Sequence, residues 1–426
     1  MDLVSTIDLG ARNARRIAEA ILDGGAVSRA QLSRVTGLSK PTVSAAIATL
    51  ETSGLVREVG RTSGHPGATA VLYDVAPQAG TALAIDLGRR LVRACVLDLA
   101  GRRLADRIED TRGTGAAVLG AQLAAIATDV VAASGVPGGS LTAVTLGVPG
   151  VAAPDGGRVR LATSLPGLQR GEPVTALSEA LGVRIDLGND VNLAATAELA
   201  FGHGRRAPDF AFLSIGTGVG LALMLDGRLR SGATLSAGEI GYLPMSPAPS
   251  PVSDRSGPAP RRPGSPVLED VASAGGVVRA ARRRGLRAPS ARRVVELARA
   301  GDGRARAVLG EQAAHLALGV VAVAAVVDPG LVVISGGLGI GAADVLLPLL
   351  DDAVRRLGPL RPTLALSELG DHAVLDGAAV DAVARARERV LGRVTGHHAA
   401  LSSGPSSLGE LGAPLVSPVA RRMEAL

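Results

Sequence analysis

Aromatic side chains are almost missing from this sequence: tryptophan is absent, and two tyrosines and three phenylalanines make up 1% of its 426 residues. A core must therefore be assembled from Ala, Val, Leu and Ile, which the 47% apolar content and the mean hydropathy of +0.30 allow. One cysteine, Cys95, excludes an intramolecular disulfide and any metal cluster held by several cysteines. No apolar segment follows Met1. The longest run without a polar side chain, residues 316–327, stops at Asp328-Pro329, short of the roughly 20 residues a membrane helix needs. A soluble, cytoplasmic chain with no membrane partner is the expectation. Its length exceeds what one ordinary core organises, so two or three domains are expected.

What is present begins with positive charge. The formal charge is +6, and residues 12–61 carry eight basic against four acidic side chains, which suits an anionic partner such as DNA. A denser cluster downstream, Arg279, Arg282, Arg283, Arg284 and Arg287, reads as a solvated helix face.

Near the N-terminus, Ala14, Ile17, Ala18, Ile21 and Leu22 recur at helical spacing until Gly24-Gly25. Ser28 opens a second helix, with Gln31 in the capping-box position and Leu32 and Val35 on one face. Gly37 supplies a turn. Ser39 then caps a third helix, with Pro41 in its first turn and Val43, Ile47 and Leu50 pointing inward until Gly54. Two short helices about a glycine turn make a helix-turn-helix. The outer side of the third, Lys40, Thr42, Ser44 and Ala45, is small and polar, so it can lie close to base edges while Lys40 and the helix N-terminus meet phosphates. Strand-like runs at 55–59 and 70–75 flank a glycine-rich tip, a wing carrying Arg61 and His65. The expected DNA contacts are Ser28, Arg29, Ser39, Lys40, Pro41, Thr42, Ser44, Ala45, Arg61 and His65. A three-helix structural cap with no nucleic-acid role remains the alternative. One small helix covers too few base pairs for genomic specificity, so a two-fold symmetric operator bound by a homodimer or higher homo-oligomer is expected.

Further along, a strand-like run near Ile85 enters Asp86-Leu-Gly88 and returns over 91–97, and a run at 210–215 enters Gly216-Thr-Gly-Val-Gly220 and returns over 221–225. Two strand, glycine-turn, strand copies suggest two related lobes facing one cleft. Glycine turns let backbone N–H groups approach phosphate oxygens, although either turn alone also fits plain loop geometry. Strand-like and helical runs alternate at 143–148, 184–187, 191–201, 305–327 and 331–334, an α/β pattern. Gly336-Gly-Leu-Gly-Ile-Gly341 reads as a third glycine-rich turn. Beyond Gly396 the chain turns rich in Ser, Gly and Pro, the composition of a mobile tail.

In chain order, Asp86-Leu-Gly88, Gly147-Val-Pro-Gly150, Gly188-Asn-Asp-Val-Asn-Leu-Ala-Ala195, Gly216-Thr-Gly-Val-Gly220, Ala237-Gly-Glu-Ile-Gly241 and Ser335-Gly-Gly-Leu338 resemble the ROK family of sugar kinases and repressors over residues 80–392. Ser28-Arg-Ala-Gln-Leu and Gly37-Leu-Ser-Lys-Pro-Thr-Val-Ser44 resemble the DNA-binding segment of its repressors, so the chain looks like the repressor branch. The resemblance implies an α/β protein: a winged helix-turn-helix at 1–76, then a two-lobed actin-like ATPase fold. Lobe 1 would cover 80–188 with 373–392 returning to it, lobe 2 would cover 189–372, and 393–426 would be a disordered tail. It also implies a sugar between the lobes. In the kinases the residue matching Asp190 is the general base, and those matching Asn189, Glu239 and Glu269 hold hydroxyls, as carboxylates and amides can. Asp190 fits equally as the N-cap of the helix that follows.

Three departures shape the functional expectation. Arg89 and Arg90 stand where the kinases have Gly-Thr and would crowd ATP phosphates, so the phosphate set Asp86, Gly88, Gly216, Thr217 and Gly218 reads as degenerate and no phosphoryl transfer is expected. Tyr242 replaces a histidine, either bonding the sugar or packing. Residues 246–266 replace a zinc loop without a single cysteine, so neither zinc nor any other cofactor is expected. The resulting reading is a DNA-binding repressor of carbohydrate-related genes controlled by a sugar or sugar phosphate. The alternatives are an ATP-dependent sugar kinase, with Asp190 catalytic, and a constitutive DNA-binding protein with a degenerate sensor.

Overall fold

The apolar repeat beginning at Ala14 is the inner stripe of a longer helix, α1 (Leu3–Gly24), in which Ala14, Ile17, Ala18, Ile21 and Leu22 are all buried. The computed structural model describes residues 3–62, 69–137, 139–153, 157–245, 266–396 and 423. His65, almost all of the cysteine-free segment at 246–266, and the expected tail beyond Gly396 apart from Met423 lie outside the described residues. The chain forms two compact units, residues 1–201 with 374–426, and residues 202–373.

After α1 come β1 (Val27–Ser28), α2 (Arg29–Thr36), α3 (Lys40–Thr52), β2 (Val56–Arg61) and β3 (Val71–Val75), with the strands ordered β1-β3-β2. Ser28 and Gln31 form a reciprocal capping box: the Ser28 hydroxyl accepts from the Gln31 amide at 3.3 Å, and Gln31 Oε1 accepts from the Ser28 amide at 2.9 Å. Gly37 closes α2 at φ 70°, a left-handed conformation that glycine adopts without strain. Leu32, Val43, Ile47 and Leu50 are buried as expected, but Val35 is 75% exposed. The eight-residue α2 buries an i, i+4 pair, Leu32 and Thr36, and turns Val35 outward. β2 and β3 pair from Val56–Val75 to Arg61–Val71, with a bulge between Glu58 and Gly60, and form the base of the wing.

The rest of the first unit is a five-stranded sheet. β4 (Thr81–Leu87), β5 (Leu91–Asp98) and β6 (Arg103–Asp110) form an antiparallel meander, followed by α4 (Ala116–Ala133) and β7 (Leu141–Val148). A small ribbon of β8 (Val151–Ala152) and β9 (Val159–Arg160) leads to α5 (Glu172–Leu181), β10 (Ile185–Asn189) and α6 (Asp190–Phe201). The order is β10-β7-β4-β5-β6, with β4, β7 and β10 parallel. Their C-terminal ends therefore stand in a row about 5 Å apart, bearing Asn189, Gly147 to Gly150 and Asp86 to Gly88. All seven β4 residues are buried, as a strand covered on both faces requires. The unit boundary falls after α6, not after Gly188, for a packing reason. Leu193 of α6 occupies the space above Gly147 and Gly188, 2.8 Å from where a Cβ on either would sit.

The second unit opens with β11 (Phe210–Ile215), β12 (Val219–Leu225) and β13 (Arg228–Leu229). Helices α7 (Leu268–Ala272), α8 (Ala274–Arg283), α9 (Ala291–Arg299) and α10 (Gly303–Val327) follow. Then come β14 (Leu331–Ser335), α11 (Gly336–Gly341), α12 (Ala343–Leu357) and β15 (Thr363–Leu366). The sheet order is β13-β12-β11-β14-β15. The glycine run at 336–341 is a short helix, not a turn. Gly336, at φ 82°, carries the chain out of β14 so close to the Ile215 backbone that no side chain fits there. By length and composition α4 and α10 could each cross a bilayer, because α10 extends the apolar run back to Gly303. Both bury one side in a core, α4 through Leu119, Leu123 and Ile126 and α10 through Val308, Leu316 and Val320. Within the arginine cluster, Arg283 and Arg284 pair with Glu311 at 3.2 and 2.9 Å. The chain returns to the first unit as α13 (Ala373–Thr395).

Candidate functional site

The outward face of α3 exposes Lys40, Pro41, Ala45, Ala48, Thr49 and Thr52, with Thr42 and Ser44 half-buried. Ser39 caps the helix, accepting from the Thr42 amide at 3.3 Å and sharing a 2.8 Å bond with the Thr42 hydroxyl. The Thr49 and Thr52 hydroxyls donate back to the Ala45 and Ala48 carbonyls, which leaves a face rich in methyl groups. Such a face suits apolar contact with thymine methyls in a major groove, and Lys40 at its N-terminal end suits a phosphate. Ala48 and Thr49 were missed in the sequence, though they lie three and four residues beyond Ala45. Arg29 lies 5.1 Å over the Tyr73 ring, joining α2 to β3. Arg61 is exposed on β2, 3.9 Å from Glu58.

Ser28 does not face outward. It is 5% exposed, and its hydroxyl serves the capping box. Ser28→Ala should lower the stability of the winged module by about 1 kcal/mol. Thermal unfolding would show it, and operator affinity at low temperature should be unchanged.

At the row of strand ends in the first unit, Asp86 is buried and bound by Arg93 of the neighbouring strand at 2.9 Å, directly opposite in the β4–β5 register. The hairpin beyond it is closed by Gly88 N–H donating to the Leu91 carbonyl at 2.9 Å. Thr111 braces it, its hydroxyl donating to the Gly88 carbonyl at 2.7 Å and its amide to the Arg90 carbonyl at 2.9 Å. Arg89 and Arg90 are exposed at the tip. The carboxylate is thus neutralised and the turn amide already used. Asn189 donates to the Gly150 carbonyl at 3.0 Å and accepts from the Asn192 amide at 3.0 Å, so it, rather than Asp190, bonds three residues ahead into α6. Asp190 is the first residue of α6, accepting from the Val191 amide at 2.9 Å, where the helix N-terminus favours its charge.

In the second unit the glycine hairpin and two carboxylates come together. Glu269 Oε2 accepts from the Val219 amide at 3.1 Å and lies 2.7 Å from where a Cβ on Gly218 would sit. Gly216 N–H donates to the Gly218 carbonyl at 2.9 Å, with Thr217 exposed at the tip. Glu239 lies within the field of Glu269; burial first, and that second negative charge, push its carboxyl above the usual glutamate range. Tyr242 follows at 47% exposure. Two carboxylates within each other's field call for donors, which sugar hydroxyls supply. Since Glu239 holds its proton to higher pH than in the unfolded chain, its contribution should weaken as pH rises from the ordinary glutamate range through the raised value. Glu239→Gln should flatten that part of the stability profile of the second unit, read by thermal unfolding from pH 4 upward.

Cys95 lies fully buried in β5, its thiol pushed up to about 12 by burial, so it offers no thiolate.

A winged helix joined to a glycine-hairpin α/β protein of two units defines a class of protein. The ROK family model matches residues 82–384 and a MarR family model residues 11–65. The chain belongs to the ROK family, and its larger part has that family's actin-like kinase fold. It is 36% identical over 204 residues to the bifunctional enzyme NanE/NanK of Brucella melitensis, covering 48% of this chain and 36% of that protein. It is 28% identical over 229 residues to the xylose repressor of Caldicellulosiruptor bescii, covering 53% of this chain and 57% of that protein. The chain thus spans about a third of the first relative and just over half of the second. The solved structure of a ROK family transcriptional regulator, a homolog of the E. coli MLC protein, shares the fold. Its TM-score is 0.70 at 21% identity, over 91% of this chain and 99% of that one.

Proposed function

We propose that this chain is a DNA-binding transcriptional repressor of carbohydrate-related genes, controlled by a sugar or sugar phosphate that it binds without phosphorylating. The observation that carries the reading is an exposed methyl-rich helix in a winged module, built into the same unit as a phosphate hairpin that is closed by the Gly88–Leu91 bond and whose Asp86 is held by Arg93. Similarity to a xylose repressor and to a ROK regulator that matches 91% of the chain supports it. We assign hydroxyl binding to Asn189 and Asp190, and to Glu239 and Glu269 with Tyr242 beside Glu239. The protein works in the cytoplasm as a homodimer or higher homo-oligomer; exposed Leu318 and Val326 on α10 offer apolar surface to a second copy. Without a cysteine in 246–266 it carries no zinc, so stoichiometric zinc surviving dialysis would contradict the reading.

The test starts with selection of duplexes from a random pool by the full chain, followed by titration with D-xylose, other aldoses and aldose phosphates. One of them should lower operator affinity by about 5- to 150-fold, the usual range of coupling between sites. If none does, the degenerate-sensor alternative holds. Lys40→Ala should weaken operator binding by about 1–3 kcal/mol if Lys40 reads a base, or reduce the salt slope by about one if it meets a phosphate. Unchanged binding by Lys40→Glu would remove it from the interface. The NanE/NanK similarity keeps a kinase as the second reading. A coupled assay with ATP should give no turnover, and turnover that Asp190→Asn abolishes would reverse the assignment.

A further inference from the structure

α13 touches both functional ends of the first unit through opposite faces. Arg385 and Arg389, four residues apart and so on one face, reach the sheet. Arg389 meets Asp186 of β10 at 2.5 Å and the Thr142 carbonyl at 2.9 Å, and Arg385 lies 3.8 Å from Asp186. Asp381, one turn earlier, holds Arg385 at 2.8 Å and accepts from the Thr145 hydroxyl of β7 at 2.7 Å. Asp186 precedes Asn189 by three residues of the same strand, roughly 10 Å. On the other face, Arg387 is 9% exposed at its side chain and forks three ways. It donates to the Leu99 carbonyl at 2.7 Å, to the Leu22 carbonyl at the C-terminal end of α1 at 3.2 Å, and to Asp23 at 2.8 Å. Glu388 pairs with Arg15 of α1 at 2.5 Å. A cation bonded to the last carbonyls of a helix fixes that end and complements its dipole. α1 in turn packs its buried face on α3.

We propose that Arg387 is a positioning residue that ties the state of the β10 end to the placement of the reading helix, with α13 as the rigid link and α1 as the arm. The proposal rests on the reading of the chain as a ligand-controlled DNA-binding protein. Any displacement of β10 at Asn189 moves Asp186, and the half-buried Asp186–Arg389 and buried Asp186–Arg385 pairs pass it to α13. Arg387 and Glu388 then carry it to α1. An Arg is suited to this because its planar fork holds three acceptors in one fixed arrangement.

The test is a double-mutant cycle on operator affinity, which requires no knowledge of the effector. The full chain and its Asn189→Ala, Arg387→Met and doubly substituted variants are titrated with the duplex that the full chain enriches from a random pool. Methionine keeps an apolar stem while removing the donors. Asn189→Ala releases the Gly150 loop and should change operator affinity by about tenfold in the parent. In the Arg387→Met background the same substitution should change it less than twofold, a coupling within the usual range. Arg387→Lys, which keeps charge without the fork, should restore only part of the coupling. Should Arg387→Met fail to fold, Asp23→Asn cuts an Arg387 contact and Arg15→Met the Glu388 contact from the α1 side, and the two together should show the same loss. An equal change in both backgrounds overturns the proposal, as does an Asn189→Ala variant with unaltered operator affinity. Failure to enrich any duplex would instead remove the DNA-binding reading and this inference with it.

Discussion

Asp186→Leu should destabilise the first unit by about 3–5 kcal/mol, the usual consequence of leaving one partner of a buried ion pair alone. Asp186 is 5% exposed and lies against three arginines, Arg389 at 2.5 Å, Arg184 at 3.2 Å and Arg385 at 3.8 Å. Arg385 is itself 4% exposed, and Asp381, which also pairs with it, already has one buried oxygen without a hydrogen-bond partner. Leucine fills the space but leaves the guanidinium charges facing an apolar group. Removing both ends of the pair should hurt less than removing one, so Asp186→Leu combined with Arg389→Met should recover part of the loss. Urea unfolding followed by amide exchange in β10 and α13 reads the result, and an unchanged midpoint would refute the account of these charges.

The second large effect is expected from Gly238→Ala, which should abolish the effector response. Gly238 sits at φ 87°, where an L side chain is strained by about 1–2 kcal/mol. The added Cβ would also fall onto the Leu221 carbonyl oxygen. That oxygen cannot yield readily, because Leu221 lies in β12, paired with Leu213 of β11. The loop must move instead and carry Glu239 away from Glu269. Effector binding by calorimetry should vanish and the melting of the second unit should fall by several degrees. Operator binding without effector should persist, since the reading helix belongs to the other unit.

The sequence made local structure legible and distant pairing illegible. The Ser28–Gln31 box, the Ser39 cap and the buried stripe of Val43, Ile47 and Leu50 depend on residues three or four apart, and each could be read directly. β1, two residues long, exists only because Tyr73 and Leu72 of β3 pair with it. No local pattern announces such a strand. Val35 turned outward because tertiary packing chose which neighbours of Leu32 to bury. At the site, the residue types at 189, 190, 239 and 269 stood out, but their bonding did not. The Asp86–Arg93 pair follows only from the β4–β5 register, and the Glu239–Glu269 repulsion only from a fold that joins residues 30 apart in the chain. The Arg387 fork bridges more than 360 positions, beyond the reach of any periodicity.

That separation also sets an order of events during synthesis. The winged module is made before the whole second unit, whereas the helix that braces it is made after it. At the usual 5–20 residues per second, the interval between Leu22 and Arg387 is roughly 20–70 s. Throughout it the nascent module has its own small core but no clamp on α1. A translation product halted before α13 would therefore present α3 without the contact that fixes its arm, and the final placement of α3 becomes a property of chains that have reached α13.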